Sequence, residues 1–284
     1  MLRIRHILVL LSVGVAVLAS RPGRNSKDPL TVENCGKSLF LPEGKDRIVG
    51  GGYVKHGMYP WMVSLYEQRD SFNHACGATI LNEHWIITAA HCIDYPDDPW
   101  RYEIFLGLYK LSEEDGPTVK HYRISEVYVH EDHNKITHAN DVALLKTKLP
   151  IDIAGSGGYI NGVCLPTNND DPKGQGVVTG WGHEYSWGVN SNILKHVTIP
   201  FVDRKICNEA YGGNILDMMI CAGSEGKDTC QNDSGGPLFQ VDSNGTATLL
   251  GVTSFGRGCG MPGFPGVYAK VSYFRDWMMK IIKP

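Results

Sequence analysis

Beyond residue 48 the chain consists of short runs of β-branched and aromatic residues separated by turn residues. Clear examples are residues 61–66, 85–88 and 104–106. Runs of this length and composition, divided by Gly, Pro, Asn and Asp, are typical of strands in a β-sandwich or barrel. The 33 glycines and 15 prolines among 284 residues agree with a turn-rich, all-β chain.

The C-terminal segment has a helical period instead. Four apolar residues recur there at the spacing of one helical face: Phe274, Trp277, Met278 and Ile281. Ser272 lies where a side chain could cap the first turn of that helix. We expect the apolar stripe to pack on the body of the protein rather than on a membrane surface.

The first 47 residues do not resemble the rest. Arg3, Arg5 and His6 precede a short apolar run at 7–18 that ends in Ala19 and Ser20, the pattern of a secretory signal peptide over residues 1–20. The alternative is a signal anchor, but the run is shorter than the ~20 apolar residues of a spanning helix, which favours a secreted, extracellular protein. Residues 21–47 are polar and contain several prolines and glycines, as expected of an exposed pro-segment. A glycine-rich linker, AGSGG at 154–158, divides the remaining chain into two halves.

Charge and cysteine content restrict the partners. The formal net charge of -3 gives no indication of nucleic-acid or membrane binding. Eight cysteines in a secreted chain predict disulfides, although the sequence alone leaves many alternative pairings. Zinc binding is the other use of cysteine, but paired C-x2-C spacing is missing from the sequence. We therefore predict no cofactor and no required metal.

Three distant segments supply the residue types of a nucleophilic triad. They are ITAAHC (87–92), NDVALL (140–145) and GKDTCQNDSGGP (226–237), which place His91, Asp141 and Ser234 in that chain order. A serine hydroxyl is a weak nucleophile and needs a base to take its proton. The base in turn needs a carboxylate that fixes its tautomer and stabilises the imidazolium.

Together with further landmarks, these segments resemble the chymotrypsin/trypsin family of secreted serine endopeptidases. The landmarks are RIVGG (47–51), GWG (180–182), SFG (254–256) and PGVY (265–268), and the resemblance covers about residues 48 to 284. It implies an all-β peptidase domain over 48–284. That domain would contain two orthogonally packed, six-stranded antiparallel Greek-key barrels, divided near 150–165, and a C-terminal α-helix. The active site would lie in the cleft between the barrels.

The resemblance also assigns the oxyanion hole, with one departure. The donors would be the backbone N–H groups of Ser234 and of residue 232, where the family has Gly and this chain has Asn232. Asn is among the non-glycine residues that best tolerate positive φ. Asn232 also begins an N-x-S sequon, but a glycan there would block the cleft. Asn244, in NGT, is the better glycosylation candidate.

The substrate pocket follows from the same comparison. Asp228, six residues before Ser234, corresponds to the pocket floor of relatives that select Arg or Lys, since a substrate cation neutralises this carboxylate. The alternatives are a solvated loop acid at Asp228 and a chymotrypsin- or elastase-like preference. Gly256 and Gly266 match the pocket walls, and Ser254 and Phe255 match the strand that pairs with substrate.

Activation and disulfides are implied in the same way. Cleavage of Arg47–Ile48 would free an amine that inserts and pairs with Asp233. The implied disulfides are Cys76–Cys92, Cys207–Cys221, Cys230–Cys259 and, tying the pro-segment to the second half, Cys35–Cys164.

Two acidic or histidine-rich stretches are interpreted as structural. His130-Glu131-Asp132-His133 lacks the H-E-x-x-H spacing of a metal site, and the ten histidines other than His91 are interpreted as structural or solvated. In the loop after Gly107, Leu108 stands where calcium-binding trypsins have a glutamate, and Glu113, Glu114 and Asp115 are displaced from that pattern. We expect no calcium requirement.

The sequence thus predicts a secreted serine endopeptidase zymogen that cleaves after Arg or Lys. Its partners would be such protein or peptide substrates, an activating trypsin-like protease or the enzyme itself, and protein protease inhibitors, and it would be a monomer. The alternative is a protease-fold binding protein with weak or lost catalysis, for which Asn232 is the one favourable feature.

Overall fold

The computed structural model describes residues 28–40, 52–68, 72–182, 190–225, 233–258 and 260–282. Several predicted features therefore lie outside the described residues: the signal peptide, Arg47, Ile48, Asp228, Cys230, Asn232 and Cys259. Within the described part, no helix is long and apolar enough to cross a membrane.

A two-residue strand, β1 (Gly52–Tyr53), precedes the first barrel. Six antiparallel strands then close in the order β2-β3-β4-β7-β6-β5. They are β2 (Met62–Gln68), β3 (Phe72–Ile80), β4 (Trp85–Thr88), β5 (Tyr102–Leu106), β6 (Lys120–Val129) and β7 (Ala143–Thr147). β4 is WIIT; it pairs with β3 on one side and β7 on the other, and all its residues are buried.

The second barrel is built from the C-terminal half. Its strands are β8 (Gln175–Gly180), β9 (Lys195–Val202), β10 (Met219–Ala222), β11 (Pro237–Val241), β12 (Ala247–Phe255) and β13 (Gly266–Lys270). They follow the order β9-β10-β13-β12-β11-β8, and pairing of β8 with β9 closes the ring, while β1 adds to β9. The prediction of two six-stranded antiparallel barrels is confirmed.

Aromatic side chains pack where the barrels meet. Trp61 and Phe239 are both fully buried, and their rings meet edge-on with centroids 5.2 Å apart. Such an edge-to-face pair adds about 0.5–1.5 kcal/mol beyond the burial of its area. The contact fixes the start of β2 against β11, which directly follows the Ser234 turn.

Helical structure is sparse. 3-10 turns occupy Ala90–Cys92, Pro99–Arg101, Ala154–Ser156 and Val271–Phe274. The α-helix α1 (Arg204–Ala210) was not predicted, and the carboxylate of Asp203 caps it by accepting the N–H of Lys205 at 2.8 Å.

The C-terminal helix α2 spans Arg275–Ile281, and its stripe packs as predicted. Phe274, Trp277 and Met278 are buried, and the partly buried Ile281 packs against the same core. The predicted cap is wrong. Ser272 lies in the preceding 3-10 turn and donates to Asn169 Oδ1 at 2.8 Å, so the helix begins too late for its hydroxyl to reach the first free N–H groups.

Residues 28–40 of the pro-segment are folded onto the body. Leu30 is fully buried, and the amide of Asn82 donates to the carbonyl oxygen of Leu30 at 3.3 Å. Arg275 of α2 pairs with Asp28 at 2.8 Å. Three disulfides expected from the resemblance are formed: Cys35–Cys164, Cys76–Cys92 and Cys207–Cys221.

Candidate active site

His91 and Asp141 are held together at the end of the first barrel. β4 ends at Thr88, and the following 3-10 turn carries His91, while Asp141 lies just before β7, the neighbour of β4. His91 Nδ1 lies 2.8 Å from Asp141 Oδ2, and the backbone N–H of His91 donates to Asp141 Oδ1 at 2.9 Å. The carboxylate therefore contacts both the ring and the backbone of the histidine, which fixes the ring orientation.

Asp141 is an ionised carboxylate in a buried place. Its side chain is 1% exposed, and burial by itself would raise its pKa. The imidazoles of His138 and His91 and the hydroxyl of Ser254 outweigh that effect and hold the pKa of Asp141 well below its ordinary range. A fixed negative charge beside Nδ1 stabilises the imidazolium that forms when His91 takes a proton.

The Ser234 turn is hydrogen bonded to β3, which is in turn hydrogen bonded to Thr88 at the end of β4, just before His91. The N–H of Gly77 in β3 donates to the carbonyl oxygen of Ser234 at 2.8 Å, and Thr88 donates to the carbonyl oxygen of Gly77 at 2.9 Å. Gly235 has a φ of 76°, and a Cβ there would lie 2.2 Å from Thr88 Oγ1. Only glycine allows this turn to approach β4 so closely.

A second connection joins the Ser234 turn to Asp141. The N–H of Gly235 donates to Thr253 in β12 at 2.8 Å, and the N–H of Thr253 donates to Gly236 at 2.9 Å. The next residue, Ser254, donates its hydroxyl to Asp141 Oδ2. The sequence assigned Ser254 to the substrate-pairing strand. The contact of its side chain with Asp141 was missed, since it joins residues 113 positions apart.

The glycines of the GWG segment surround the carboxylate of Asp233. The N–H of Gly182 donates to Asp233 Oδ1 at 2.9 Å. A Cβ added to Gly180 would lie 2.0 Å from Oδ1, and one added to Gly182 would lie 2.4 Å from Cγ. The segment was recognised only as a landmark, and its geometry shows that neither glycine has room for a side chain.

We expect Gly182→Ala to lower turnover about 10²-fold, the typical cost of losing one oxyanion donor. The added methyl group would displace Asp233 and with it the N–H of the adjacent Ser234. Steady-state kinetics of the activated variant measure the effect, and its melting temperature separates this loss from unfolding. Gly52→Ala is the matched control, because a Cβ at Gly52 meets nothing within 4 Å. Normal turnover in Gly182→Ala would show that Asp233 does not position this donor.

The predicted pocket walls lie at the ends of two paired strands. Phe255 ends β12 opposite Val267, the second residue of β13, and Gly266 is buried at the start of β13. Gly256 follows Phe255 and is exposed. Phe255 and Gly256 directly follow Ser254 at the C-terminal end of β12. Asp228, the predicted pocket floor, lies outside the described residues.

His138 is a site residue that sequence reasoning missed. It was interpreted as structural or solvated, but its Nδ1 lies 3.8 Å from Asp141 Oδ2. Its ring stands edge-on to His91 with centroids 5.9 Å apart, and it stacks on Phe255 at 5.0 Å. The sequence gives no signal for this beyond the place of His138 three residues before Asp141.

The acidic histidine stretch at 130–133 has structural contacts. The ring of His130 stacks on Trp277 of α2 at 5.0 Å, and Trp277 Nε1 donates to Glu131 Oε2 at 2.9 Å. Burial among these rings lowers the pKa of His130. These contacts attach α2 to the segment at 130–133 and agree with the interpretation of these histidines as structural.

Two acidic residues of the 110–115 loop, Glu113 and Glu114, also have partners. Glu113 pairs with Lys110 at 2.6 Å, and Glu114 accepts the hydroxyl of Tyr66 at 2.6 Å. Burial and this hydrogen bond raise the pKa of Tyr66. The absence of a calcium requirement stays a prediction, as does glycosylation of Asn244, which is exposed in the turn between β11 and β12.

Comparison with known proteins gives a family match. The family model described as Trypsin matches residues 48–278. U21-ctenitoxin-Pn1a of Phoneutria nigriventer is 44% identical over 244 residues, covering 83% of this chain and 100% of that protein. The venom peptide isomerase heavy chain of Agelenopsis aperta is 44% identical over 243 residues, covering 82% of this chain and 99% of that protein.

A mammalian relative is also similar. Transmembrane protease serine 11C of Mus musculus is 38% identical over 250 residues, which are 86% of this chain and 55% of that protein. The similarity to this relative thus covers most of the present chain but only about half of the mouse protein.

Proposed function

Because the chain belongs to the trypsin family of serine proteases, we propose that it is a secreted zymogen whose activated form cleaves peptide bonds after Arg or Lys. The observation that carries the proposal is the hydrogen bond between the buried Asp141 and the half-buried His91. Asp141 also accepts a hydrogen bond from Ser254 of β12, whose neighbour Thr253 bonds to the Ser234 turn. A buried, ionised carboxylate needs compensation, and here a histidine and a serine hydroxyl supply it.

The proposed chemistry follows from these positions. Ser234 Oγ attacks the scissile carbonyl while His91 Nε2 takes its proton, and Asp141 stabilises the imidazolium. The backbone N–H groups of Ser234 and Asn232 would bind the oxyanion of the tetrahedral intermediate. His91 then gives the proton to the leaving amine, and the acyl-enzyme forms. His91 then takes a proton from water, which attacks the ester carbonyl, and the imidazolium gives that proton to Ser234 Oγ as the acid product leaves.

Asp228 is proposed to set the specificity. A carboxylate at the floor of a narrow pocket favours a substrate cation that neutralises it. The exposed Gly256 and the buried Gly266 support this role, because glycine leaves room for a long Arg or Lys side chain.

The variant Asp228→Ser tests the assignment. We expect it to lower kcat/KM for Arg and Lys substrates by roughly 10²–10⁴-fold, which corresponds to the ~3–5 kcal/mol cost of breaking a buried charge pair. Substrates with Phe or Leu before the cut measure whether the loss is selective for cations. Wild-type enzyme that prefers Phe, Leu or Ala substrates would contradict the pocket assignment.

Zymogen activation is proposed to act through Asp233. Cleavage after Arg47 would free the α-amine of Ile48, which would pair with Asp233 beside Gly182 and order the oxyanion hole. After this cleavage, the N-terminal fragment that ends at Arg47, here called the light chain, would remain attached. Its residues 28–40 are already bound through Cys35–Cys164, the buried Leu30 and the Arg275–Asp28 pair. The name of one relative records a heavy chain, which agrees with a protein cut into two chains.

The proposed setting is extracellular. The N-terminal pattern predicts a signal peptide, and two relatives have names that record a toxin or a venom enzyme. The partners would be protein substrates, protein inhibitors and an activating protease of similar specificity or the enzyme itself. The protein is proposed to act as a monomer.

A further inference from the structure

We propose that the Lys135–Ile136 bond is a second processing site, cut by proteases that cleave after Arg or Lys, the activated enzyme among them, and that this cut ends the activity. The bond lies in the loop between β6 and β7, a few residues before Asp141. The cleavage half of this proposal rests on the loop itself, whereas the inactivation half rests on the proposed function.

The sequence around this bond repeats the pattern of the proposed activation bond. Residues 45–49 are KDRIV, and residues 133–137 are HNKIT. Position by position, both segments have a side chain that carries positive charge when protonated, an Asp or an Asn of the same shape, and a Lys or Arg, followed by Ile and a β-branched residue. A protease that selects the first segment therefore meets nearly the same side chains in the second.

The loop presents this bond to solvent. Ile136 is 91% exposed, and its neighbours from Asn134 to Thr137 are exposed as well. Among the residues that the structure describes, the carbonyl oxygen of Lys135 accepts no hydrogen bond and its ammonium group makes no ion pair. Exposed polar loop tips are the preferred sites of proteolytic nicking. A second molecule could therefore bind Lys135 in its pocket without moving a buried side chain of this loop.

A few exposed hydrogen bonds close the turn around the bond. Asn134 Oδ1 accepts the N–H of Ile136 at 2.9 Å and the N–H of Thr137 at 3.0 Å. The N–H of Asn134 donates to the carbonyl oxygen of Ala139 at 3.0 Å. Because water replaces exposed hydrogen bonds when a segment opens, the turn can extend into a protease cleft at a low free-energy cost.

A contrast is provided by Lys173, another exposed lysine in a loop. Its carbonyl oxygen accepts Gln240 Nε2 at 3.1 Å, and the carbonyl oxygen of Gly174 accepts the N–H of Phe201 at 3.0 Å. Both peptide groups beside the Lys173–Gly174 bond are thus hydrogen bonded to the second barrel. We expect this bond to resist cleavage, which makes Lys173→Gln a matched control.

The cut itself is a hydrolysis that consumes one water molecule. Ser234 of one molecule attacks the carbonyl carbon of Lys135 in another, and the amine of Ile136 leaves with a proton from His91. Water then releases the acyl group from Ser234. The C–N bond is replaced by a carboxylate on Lys135 and an α-amine on Ile136, and no other reactant is needed.

Cleavage would release the segment that carries His138. The hydrogen bonds from Asn134 Oδ1 join the two sides of the bond. The φ of His138 is 54°, a value that non-glycine residues keep only where the surrounding structure enforces it. After the cut His138 would relax away from Phe255 and Asp141, and Asp141 would lose one group that stabilises its charge. Since a small misplacement of catalytic groups can cost ~10²-fold, we expect cut enzyme to lose most of its turnover.

The disulfides give this cut a signature of its own. Cys76–Cys92 lies within residues 48–135, and none of the disulfides in the described part joins that fragment to the rest of the chain. Activated protein that is also cut at Lys135 should release residues 48–135 on denaturation without reductant. Protein cut only at Arg47 should release nothing, because Cys35–Cys164 holds its light chain.

The first experiment incubates activated enzyme and follows hydrolysis of a small Arg substrate together with release of residues 48–135 on non-reducing gels. Activity should fall in proportion to release. Lys135→Gln should start at wild-type activity but be cut at this bond at least roughly 10²-fold more slowly, because Gln offers the pocket no cation. Lys173→Gln should behave as wild type. Equally fast loss of activity in Lys135→Gln and wild type, or full activity after release of the fragment, would overturn the proposal.

A second experiment separates the processing site from the proposed function, with Ser234→Ala as a substrate that cannot cut itself. Trypsin and activated wild type should each cut it at Arg47 and Lys135, and should cut Ser234→Ala/Lys135→Gln at Arg47 alone. If wild type is inactive but trypsin cuts Ser234→Ala at Lys135, the proposed function fails and the processing site stands. If wild type hydrolyses Arg substrates but both proteases leave the Lys135 bond intact, the site is wrong and the proposed function stands.

Discussion

Ser234→Ala should lower kcat of the activated enzyme by roughly 10⁶-fold, the cost of losing the nucleophile where the triad acts as a unit. The variant retains the Asp141–His91 pair and the backbone hydrogen bond between Gly77 and the Ser234 carbonyl, so it should fold and bind substrate normally. Single-turnover kinetics on an Arg substrate measure the loss of catalysis. Binding of a protein inhibitor measures whether the variant is still folded and able to bind.

Ser272→Ala is the control for this variant. Ser272 also donates a side-chain hydrogen bond, to Asn169, but it lies in the turn before α2, outside the proposed catalytic residues. Its turnover should equal that of the wild type. Hydrolysis by Ser234→Ala within tenfold of the wild-type rate would exclude Ser234 as the nucleophile.

Arg47→Gln should remain inactive after treatment with trypsin, with at least about 10²-fold lower turnover than treated wild type. Without cleavage at this bond, Ile48 has no free amine to pair with Asp233, and losing one partner of a buried ion pair costs ~3–5 kcal/mol. The measurement is hydrolysis of an Arg substrate before and after treatment, with the new N-terminus identified by sequencing.

Lys45→Gln is the matched control, since Lys45 is another trypsin-sensitive residue two positions upstream. It should activate normally, because only cleavage at Arg47 creates the amine of Ile48. In the active product, Cys35–Cys164 should keep the light chain attached until a reductant is added. Full activation of Arg47→Gln, or release of the light chain without reductant, would contradict the activation scheme.

The family and the barrels were predictable because their signals are local. Each proposed catalytic residue lies in a short segment whose neighbours identify it, and the three segments occur in a fixed order. Strands such as β4 are recognisable from a buried, β-branched run between turns. The apolar stripe before the C-terminus likewise identified α2, although a 3-10 turn displaced its start and left Ser272 without a capping role.

The remaining features depend on tertiary contacts. Ser254 lies 113 positions from Asp141, and although His138 lies only three positions before it, no motif marks either contact. Positions 180 and 182 require glycine because a Cβ at either one would clash with the carboxylate of Asp233, and this contact is visible only in the folded structure. The helix α1 was missed because its seven residues include one buried side chain, Cys207, so no apolar stripe marks it.

The central claim is that the activated protein has a working serine nucleophile. The rival account, a binding protein with lost catalysis, rests on Asn232 and predicts an unreactive Ser234. The most direct measurement is covalent labelling of activated protein by a fluorophosphonate, with the modified residue identified by mass spectrometry. The present account predicts one label per molecule, on Ser234, with activity falling in proportion. A folded, correctly cleaved protein that takes up no label would contradict it.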